Sequence, residues 1–411
     1  MQRRRLLKTG IVGGAGLAGA GRLMAAPAGS PRLLFVFLRG GYDAASLLVP
    51  GNSSYYREVR PNIAIPMAGP GVPGAFAVNA DWALHPSLET SVLPLVRLRQ
   101  ATFIPFAGTD DTTRSHFETQ DTIELGQALP GRRDFGSGFL NRLAGVLQGR
   151  EAIAFTDQLP LVLRGSVDVA NLSLKNAPKP GDKGLREALA GMYHDHPLQG
   201  RLAGAFEVRD EAVRDLARSA MGAPMPAASA AVAGEMQAAN RNAINARGFE
   251  LESRRIARLM RERYALGFID VGGWDTHVGQ GAATGYLAAR LDELGRGLAA
   301  FADELGPATW RDTVVVVLSE FGRTLRENGN RGTDHGHGSV HWVLGGGLAT
   351  GPVAGDQVPV EARTLFQNRD WPVLNEYRCV LGGLLARQFA LTAAQVDHVF
   401  PGAVPRDLGL I

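Results

Sequence analysis

The sequence predicts an α/β domain built on a doubly wound, mostly parallel sheet, and three observations predict it. Short unbroken apolar runs recur along the chain, and amphipathic helical patterns separate them. The 411 residues are 45% hydrophobic, enough for one large core with elaborations. The runs are Leu33–Leu38, Thr102–Phe106, Ala265–Val271 and Thr313–Leu318, with a further one at Trp342–Gly345. Their continuous apolar character suits parallel strands covered on both faces. The clearest helical pattern runs from Gly285 to Leu305, with Leu287, Leu291, Leu294, Leu298 and Phe301 on one face. Strands alternating with such helices give the doubly wound arrangement.

The stretch 178–262 differs. It is rich in Ala, Arg and Glu, and includes the Ala/Pro-rich run Met221–Ala233. Apolar spacing at Ile256, Leu259 and Met260 reads as a helical insertion packed over the sheet, since a linker would not need it.

Residues 1–28 read as an export signal, leaving 29–411 as one domain. Arg3-Arg4-Arg5-Leu6-Leu7-Lys8 precedes a Gly/Ala-rich, weakly hydrophobic stretch, and Ala26-Pro27-Ala28 follows it. That is the charged, apolar and small-residue order of a signal peptide, and the paired arginines resemble a twin-arginine motif. The expected location is therefore periplasmic or secreted, with the twin-arginine export machinery as a partner. Five of the 43 basic residues and none of the 40 acidic ones lie in residues 1–28, so the remainder carries a formal charge of −2. The basic balance thus gives no ground for a nucleic-acid partner. No later apolar run is long enough for an integral membrane span. One cysteine, Cys379, excludes an internal disulfide framework and reads as core.

In open α/β sheets ligands sit at the carboxyl ends of the strands, and four of these ends carry polar, metal-competent residues. The first strand leads to Arg39-Gly40-Gly41-Tyr42-Asp43 and the second to Arg114-Ser115-His116-Phe117-Glu118. The third leads to Gly273-Trp274-Asp275-Thr276-His277. The fourth leads to Ser319-Glu320-Phe321-Gly322-Arg323 and soon to Gly332-Thr333-Asp334-His335-Gly336-His337. In an extended loop His335 and His337 project to one side. Imidazole with carboxylate suits zinc, manganese or iron, and all-oxygen sites suit magnesium or calcium. The expected ligands of a divalent metal, zinc first with manganese, iron or calcium as alternatives, are Asp43, Asp275, His277, Glu320, Asp334, His335 and His337. Ser115-x-x-Glu118 reads as a capping box, and a hydroxyl there beside a metal could also attack a phosphoryl or sulfuryl centre. His116 reads as a ligand, a general acid or a packed helix residue. Arg323 and Arg114 are candidates for holding an anionic substrate. His85, His194, His196 and His398 stand apart from the strand ends, and His341 reads as a strand residue near the site.

The motifs Phe35-Val36-Phe37-Leu38-Arg39-Gly40-Gly41-x-Asp43, Arg114-Ser115-His116-Phe117-x-x-Gln120-Asp121, Gly273-Trp274-Asp275-Thr276-His277, Ser319-Glu320-Phe321-Gly322-Arg323 and Gly332-Thr333-Asp334-His335-Gly336 resemble the exported family called domain of unknown function 1501. That family resembles the alkaline phosphatase and sulfatase superfamily, so the resemblance implies an alkaline phosphatase-like fold. It also implies strand-end Asp and His ligands for one or two metals, beside a nucleophile at a helix N-terminus. It makes Asp43 a first-strand ligand and Ser115 the nucleophile. Glu320-Phe321 stands where the superfamily commonly has Asp-His, which argues against a full two-metal site. Neither Cys379 nor Ser115 lies in the Cys/Ser-x-Pro-x-Arg context of sulfatase maturation.

The expected function is an exported, metal-dependent hydrolase of phosphate or sulfate esters acting on a small anionic substrate or envelope polymer, with Ser115, His116 and Arg323 as catalytic candidates. The alternatives are a non-catalytic envelope binding or assembly protein that retains the fold, and a metal enzyme of other chemistry.

Overall fold

The computed structural model describes residues 29–129, 131, 133–148, 150–174 and 230–411. The segment 1–28 read as a signal lies outside this set, as do His194, His196 and residues 178–229 of the expected insertion.

The chain enters through β1 (Arg32–Leu38), turns through α1 (Ala44–Leu47) and β2 (Leu48–Pro50), and continues into α2 (Ser54–Val59). Strands β3 (Phe76–Ala77) and β4 (Trp82–Leu84) join β2 in a small antiparallel sheet. Helix α3 (Val92–Arg97) leads to β5 (Ala101–Gly108), followed by α4 (His116–Leu125), α5 (Phe139–Val146), β6 (Glu151–Ala154) and β7 (Ala170–Asn171). After the gap come α6 (Ala230–Ala239), β8 (Ile244–Asn245), α7 (Phe249–Glu262), β9 (Tyr264–Gly272) and the long α8 (Tyr286–Arg311). The chain closes with β10 (Thr313–Ser319), β11 (Ser339–Leu344), β12 (Asn375–Glu376), α9 (Tyr377–Phe389) and α10 (Ala393–Val399).

The main sheet runs in the order β12-β5-β11-β10-β1-β9-β6-β7, with β8 pairing alongside β9. All these pairings are parallel except those of β11, which is antiparallel to both β10 and β5. The fifth apolar run is thus a strand, but one that runs against the expected direction. Its reversal has a simple cause: β10 leaves the sheet at the carboxyl rim, and the chain re-enters β11 from the same rim after a loop with no crossover helix.

Strand β1 shows why the sheet is buried on both sides. Leu33, Phe35 and Phe37 enter one core, and Leu34, Val36 and Leu38 the other. Successive side chains of a strand point to opposite faces, so an unbroken apolar run needs helices on both. One face is covered by α7, α8 and the small sheet, and the other by α5, α9 and α10. On α7, Ile256 and Met260 are fully buried and Leu259 half-buried. Helix α8 breaks at Gly306-Pro307, where Gly306 adopts φ 74°. A glycine tolerates that conformation and the following proline cannot continue the ladder. Cys379 is half-buried on α9, short of the full core position expected.

His341 sits in mid-sheet on β11 opposite Ile104, and neither of its ring nitrogens has a hydrogen-bond partner among the described residues. Burial alone pushes its pKa down to about 3. The folded state therefore binds fewer protons than the unfolded chain below the ordinary histidine pKa near 6.5, and stability is lost as pH falls through that range. We expect His341→Leu to abolish a loss of about 2 kcal/mol between pH 7 and pH 5. Denaturant unfolding of both proteins at the two pH values checks this; parallel losses would show that His341 does not titrate with unfolding.

Candidate metal centre

Because β1, β5, β9 and β10 are parallel in the sheet, their carboxyl ends share one rim, and the loop entering β11 returns to it. Four side chains from three of these segments meet there. His116 opens α4, Asp275 and His277 follow β9, and His335 lies in the loop before β11. His335 Nε2 lies 2.9 Å from His116 Nε2 and 3.0 Å from His277 Nε2. Asp275 Oδ1 is 3.0 Å from His277 Nε2 and 3.5 Å from His335 Nε2, and Oδ2 is 3.6 Å from His116 Nε2. Ligand atoms of His116, Asp275 and His335 all lie within 4.8 Å of one another.

The other nitrogen of each ring explains the convergence. His116 Nδ1 faces Glu320 Oε1 at 2.7 Å, His335 Nδ1 faces the Arg114 carbonyl at 3.0 Å, and His277 Nδ1 faces Asp334 Oδ1 at 3.3 Å. A carbonyl or carboxylate oxygen can only accept, so each Nδ1 carries the hydrogen. Each neutral ring is then left with an Nε2 lone pair turned inward. This is the arrangement in which imidazoles bind a metal while oxygen partners fix their tautomers. Asp275 completes the set. It is 1% exposed, and its Oδ2 has no hydrogen-bond partner among the described residues. Three nitrogens and one oxygen fit zinc, manganese or iron by donor type.

Electrostatics point the same way. Burial opposes the charge on Asp275, but the Arg323 guanidinium first, and the His116, His277 and His335 rings crowded against it, outweigh it and hold the carboxyl far below its ordinary range. Glu320 behaves alike: burial works against ionisation, yet His116 and Gln120 bring its pKa to about 2. For His116, burial disfavours the proton, but Asp275 and Glu320 win and raise it to about 9. Two buried carboxylates exceed one buried guanidinium, and the proton on His116 supplies the missing positive charge. A cluster of this composition could hold a cation, and binding one would exchange that proton for the ion.

The expected site residues divide sharply. Asp275, His277 and His335 lie in the cluster, and His116 joins them as a donor. Glu320 is one step back: its Oε1 accepts from His116 and, at 2.9 Å each, from the Gly40 N–H and Gln120 Nε2. Asp334 likewise stands behind His277. Asp43 does not reach the cluster. Arg60, 0% exposed, donates to both of its oxygens at 2.6 and 2.9 Å, and Ser46 and Gln280 donate at 2.7 Å each. Its lone pairs are spent on a buried salt bridge. His337 is on the far side of its loop, its ring 4.8 Å from Phe366. The alternation argument fails because the segment Asp334–Gly338 is not an extended strand; Gly336 N–H donates to the Gly322 carbonyl and Gly322 N–H to the His337 carbonyl.

Arg323 is buried and saturated, donating to the carbonyls of Gly41, Gly40 and Thr333 and to Asp275, with its Nη1 also facing His277 Nε2 at 3.5 Å. It anchors Asp275 and has no donor left for a substrate. The capping box is absent too: Ser115 is the N-cap residue of α4, but its hydroxyl accepts no hydrogen bond from the helix. The half-buried hydroxyl is thereby left for other partners. Gly40 meets a strict steric demand, since at φ 124° a Cβ there would stand 2.6 Å from the Asp275 backbone nitrogen. The residue that sequence reasoning missed is Arg60, whose only signal is a basic residue in an otherwise ordinary helix end.

Residues 30–400 match the family described as protein of unknown function, DUF1501. No curated protein sequence matches the chain. Among solved structures, it is similar to a protein in the alkaline phosphatase superfamily from Vibrio parahaemolyticus, at 11% identity and a TM-score of 0.41, covering 94% of this chain and 71% of that one. It is also similar to the lipoteichoic acid synthase LtaP from Listeria monocytogenes, at 8% identity and TM-score 0.36, with coverages of 95% and 78%. A third is the phosphonate monoester hydrolase of Agrobacterium radiobacter, at 12% identity and TM-score 0.33, with coverages of 87% and 74%.

The division between donors and structural residues is testable. We expect His335→Ala to abolish stoichiometric metal uptake with little loss of stability. Asp43→Asn should instead cost about 3–5 kcal/mol, because it strands the buried Arg60 charge, while leaving metal content unchanged. Elemental analysis and denaturant unfolding of the two variants separate these outcomes.

Proposed function

The chain belongs to the DUF1501 family, and we propose that within it this protein is an exported, metal-dependent hydrolase of phosphate or sulfate esters. The observation that carries the reading is the convergence of the Nε2 atoms of His116, His277 and His335 on buried Asp275, whose Oδ2 has no hydrogen-bond partner among the described residues, at the end of α4 where Ser115 leaves its hydroxyl uncapped.

His116, His277, His335 and Asp275 would hold the ion, zinc by donor preference. When bound, a divalent metal polarises an ester oxygen and lowers the pKa of a hydroxyl or water next to it. The chain's own groups supply the rest. Ser115 precedes the donor His116 at the start of α4, and its hydroxyl is not consumed by capping. As nucleophile it would give up its proton and bond to phosphorus or sulfur as the bond to the ester oxygen breaks, the departing alkoxide taking up a proton. Water would then cleave the Ser115 ester, releasing the acid and restoring the hydroxyl. The first N–H groups of α4, a ten-residue helix, face the same end and favour negative charge there. Arg323 keeps Asp275 ionised and still, and Glu320 keeps His116 turned inward.

Export is inferred from residues 1–28 and fits the composition of the remaining chain. No helix among the described residues is long and apolar enough to cross a membrane. The anionic substrate would be a small ester or a charged envelope polymer.

A second reading is a metal-holding envelope protein without turnover. It is favoured by Phe321, whose ring centroid lies 4.8 Å from that of His116 and 5.1 Å from that of His335, so that an apolar surface packs against the cluster.

The test uses the exported form, assayed on aryl phosphates, phosphodiesters and aryl sulfates with and without chelator. We expect chelator-sensitive turnover on one of these classes. Ser115→Ala should reduce it to background while retaining the metal. Stoichiometric metal with no turnover on any ester would support the second reading, and turnover unaffected by Ser115→Ala would assign the attack to water.

A further inference from the structure

His335 turns its Nε2 toward the cluster because its Nδ1–H is held by one backbone atom, the Arg114 carbonyl at 3.0 Å. The direction of that carbonyl depends on Arg114 being left-handed, with φ 55°. A residue with a side chain rarely occupies that region, and it persists there only where its surroundings hold it.

Asp370 is what holds it. Its Oδ2 accepts from Arg114 Nε at 3.0 Å and Nη2 at 2.7 Å, and Gln367 Oε1 accepts from Nη2 at 2.7 Å. Asp370 itself is fully buried, and its second oxygen has no hydrogen-bond partner among the described residues. A buried, half-satisfied carboxylate costs stability, and its paired bonds to the Arg114 guanidinium are what offset that cost. The backbone of Asp370 is fixed as well, bridging to Thr324 and Phe366. Thr324 then pairs with the loop that carries His335: its N–H donates to the Asp334 carbonyl at 2.9 Å, and its hydroxyl accepts from the Asp334 N–H at 3.1 Å. One short segment thus grips His335 from both sides, through the loop bearing the ring and through the acceptor of its Nδ1–H.

We propose that Asp370 is a positioning residue of the metal centre: by latching Arg114 in its left-handed conformation, it sets which nitrogen of His335 faces the ion. Arg114, a candidate substrate contact from sequence, is on this view a structural intermediary whose guanidinium serves Asp370 and whose carbonyl serves His335. The inference rests on the metal reading of the site. An asparagine at position 370 would keep an oxygen acceptor but lose the charge that strengthens its bonds to the guanidinium.

The test compares the parent protein with Asp370→Asn, Arg114→Ala and Arg114→Gly in two measurements. Zinc affinity is read by competition with a chromophoric chelator, and the tautomer of His335 by imidazole ¹⁵N shifts in metal-free protein. We expect the parent to show a single Nδ1–H tautomer. Asp370→Asn and Arg114→Ala should give mixed tautomers and zinc affinity lowered about tenfold or more, as for other residues that orient metal-binding histidines. Arg114→Gly should recover part of that loss, because glycine adopts positive φ without strain; a merely structural role for Arg114 would not order the glycine variant above alanine. If Asp370→Asn fails to fold, the two variants at half-exposed Arg114 carry the test. Zinc bound by the parent with neither affinity nor tautomer changed in the variants would overturn this inference and leave the metal reading standing. A parent that takes up no zinc would overturn both.

Discussion

A carboxylate withdrawn from water must be surrounded by positive charge or donors, and the rim of this sheet is organised around that requirement at Asp275. At 1% exposure the group has lost its hydration, and its ionised state survives only because Arg323 and three imidazoles crowd against it. Those partners come from three separate stretches of chain, so the charge of one side chain ties three loops together. Arg323 in turn is fastened to the carbonyls of Gly40, Gly41 and Thr333, which draws the β1 loop into the same knot.

The sheet makes this possible by delivering strand ends to one edge, and backbone hydrogen bonds then align the loops. Thr333 N–H donates to the Thr276 carbonyl, Gly336 N–H to Gly322 and Gly322 N–H to His337, so the His277 and His335 loops are held in register with each other and with the Arg323 turn. The close crossing at Gly336, where a Cβ would stand 2.5 Å from the carbonyl carbon of Arg323, shows how little room separates these layers. Loops fastened in this way hold the oxygen partners that set the tautomer of every ring.

Two acidic residues show how similar sequence signals end in opposite roles. Asp43 and Asp275 both follow a buried strand by a few glycine-containing residues. Asp43 meets Arg60, from a helix that the intervening small sheet folds back over it, and both its oxygens are consumed. Asp275 meets a guanidinium on one oxygen only, and the other is left to face the His116 imidazole at 3.6 Å. Glu320 and Asp334 are intermediate cases, each one bond behind a histidine. The strands themselves were readable because an apolar run buried on both faces leaves an unmistakable pattern, whereas β6, β7, β8 and β12 are too short to leave one. The reversed direction of β11 could not be read either, since an apolar run looks the same whichever way it points.

From the order of residues alone came the alternation of strands and helices, the four polar strand ends, and the identity of the groups able to bind a cation. These follow from local physics: periodicity of burial, the chemistry of imidazole and carboxylate, and the rule that parallel strands end on a common edge. Which carboxylate would be neutralised by an arginine, which histidine of the Asp334–His337 loop would turn inward, and that Arg323 would be spent on holding Asp275 were decided only in three dimensions. Each depends on a partner 17 to 221 residues away in the chain, and the distance at which a side chain finds its partner has no local signature.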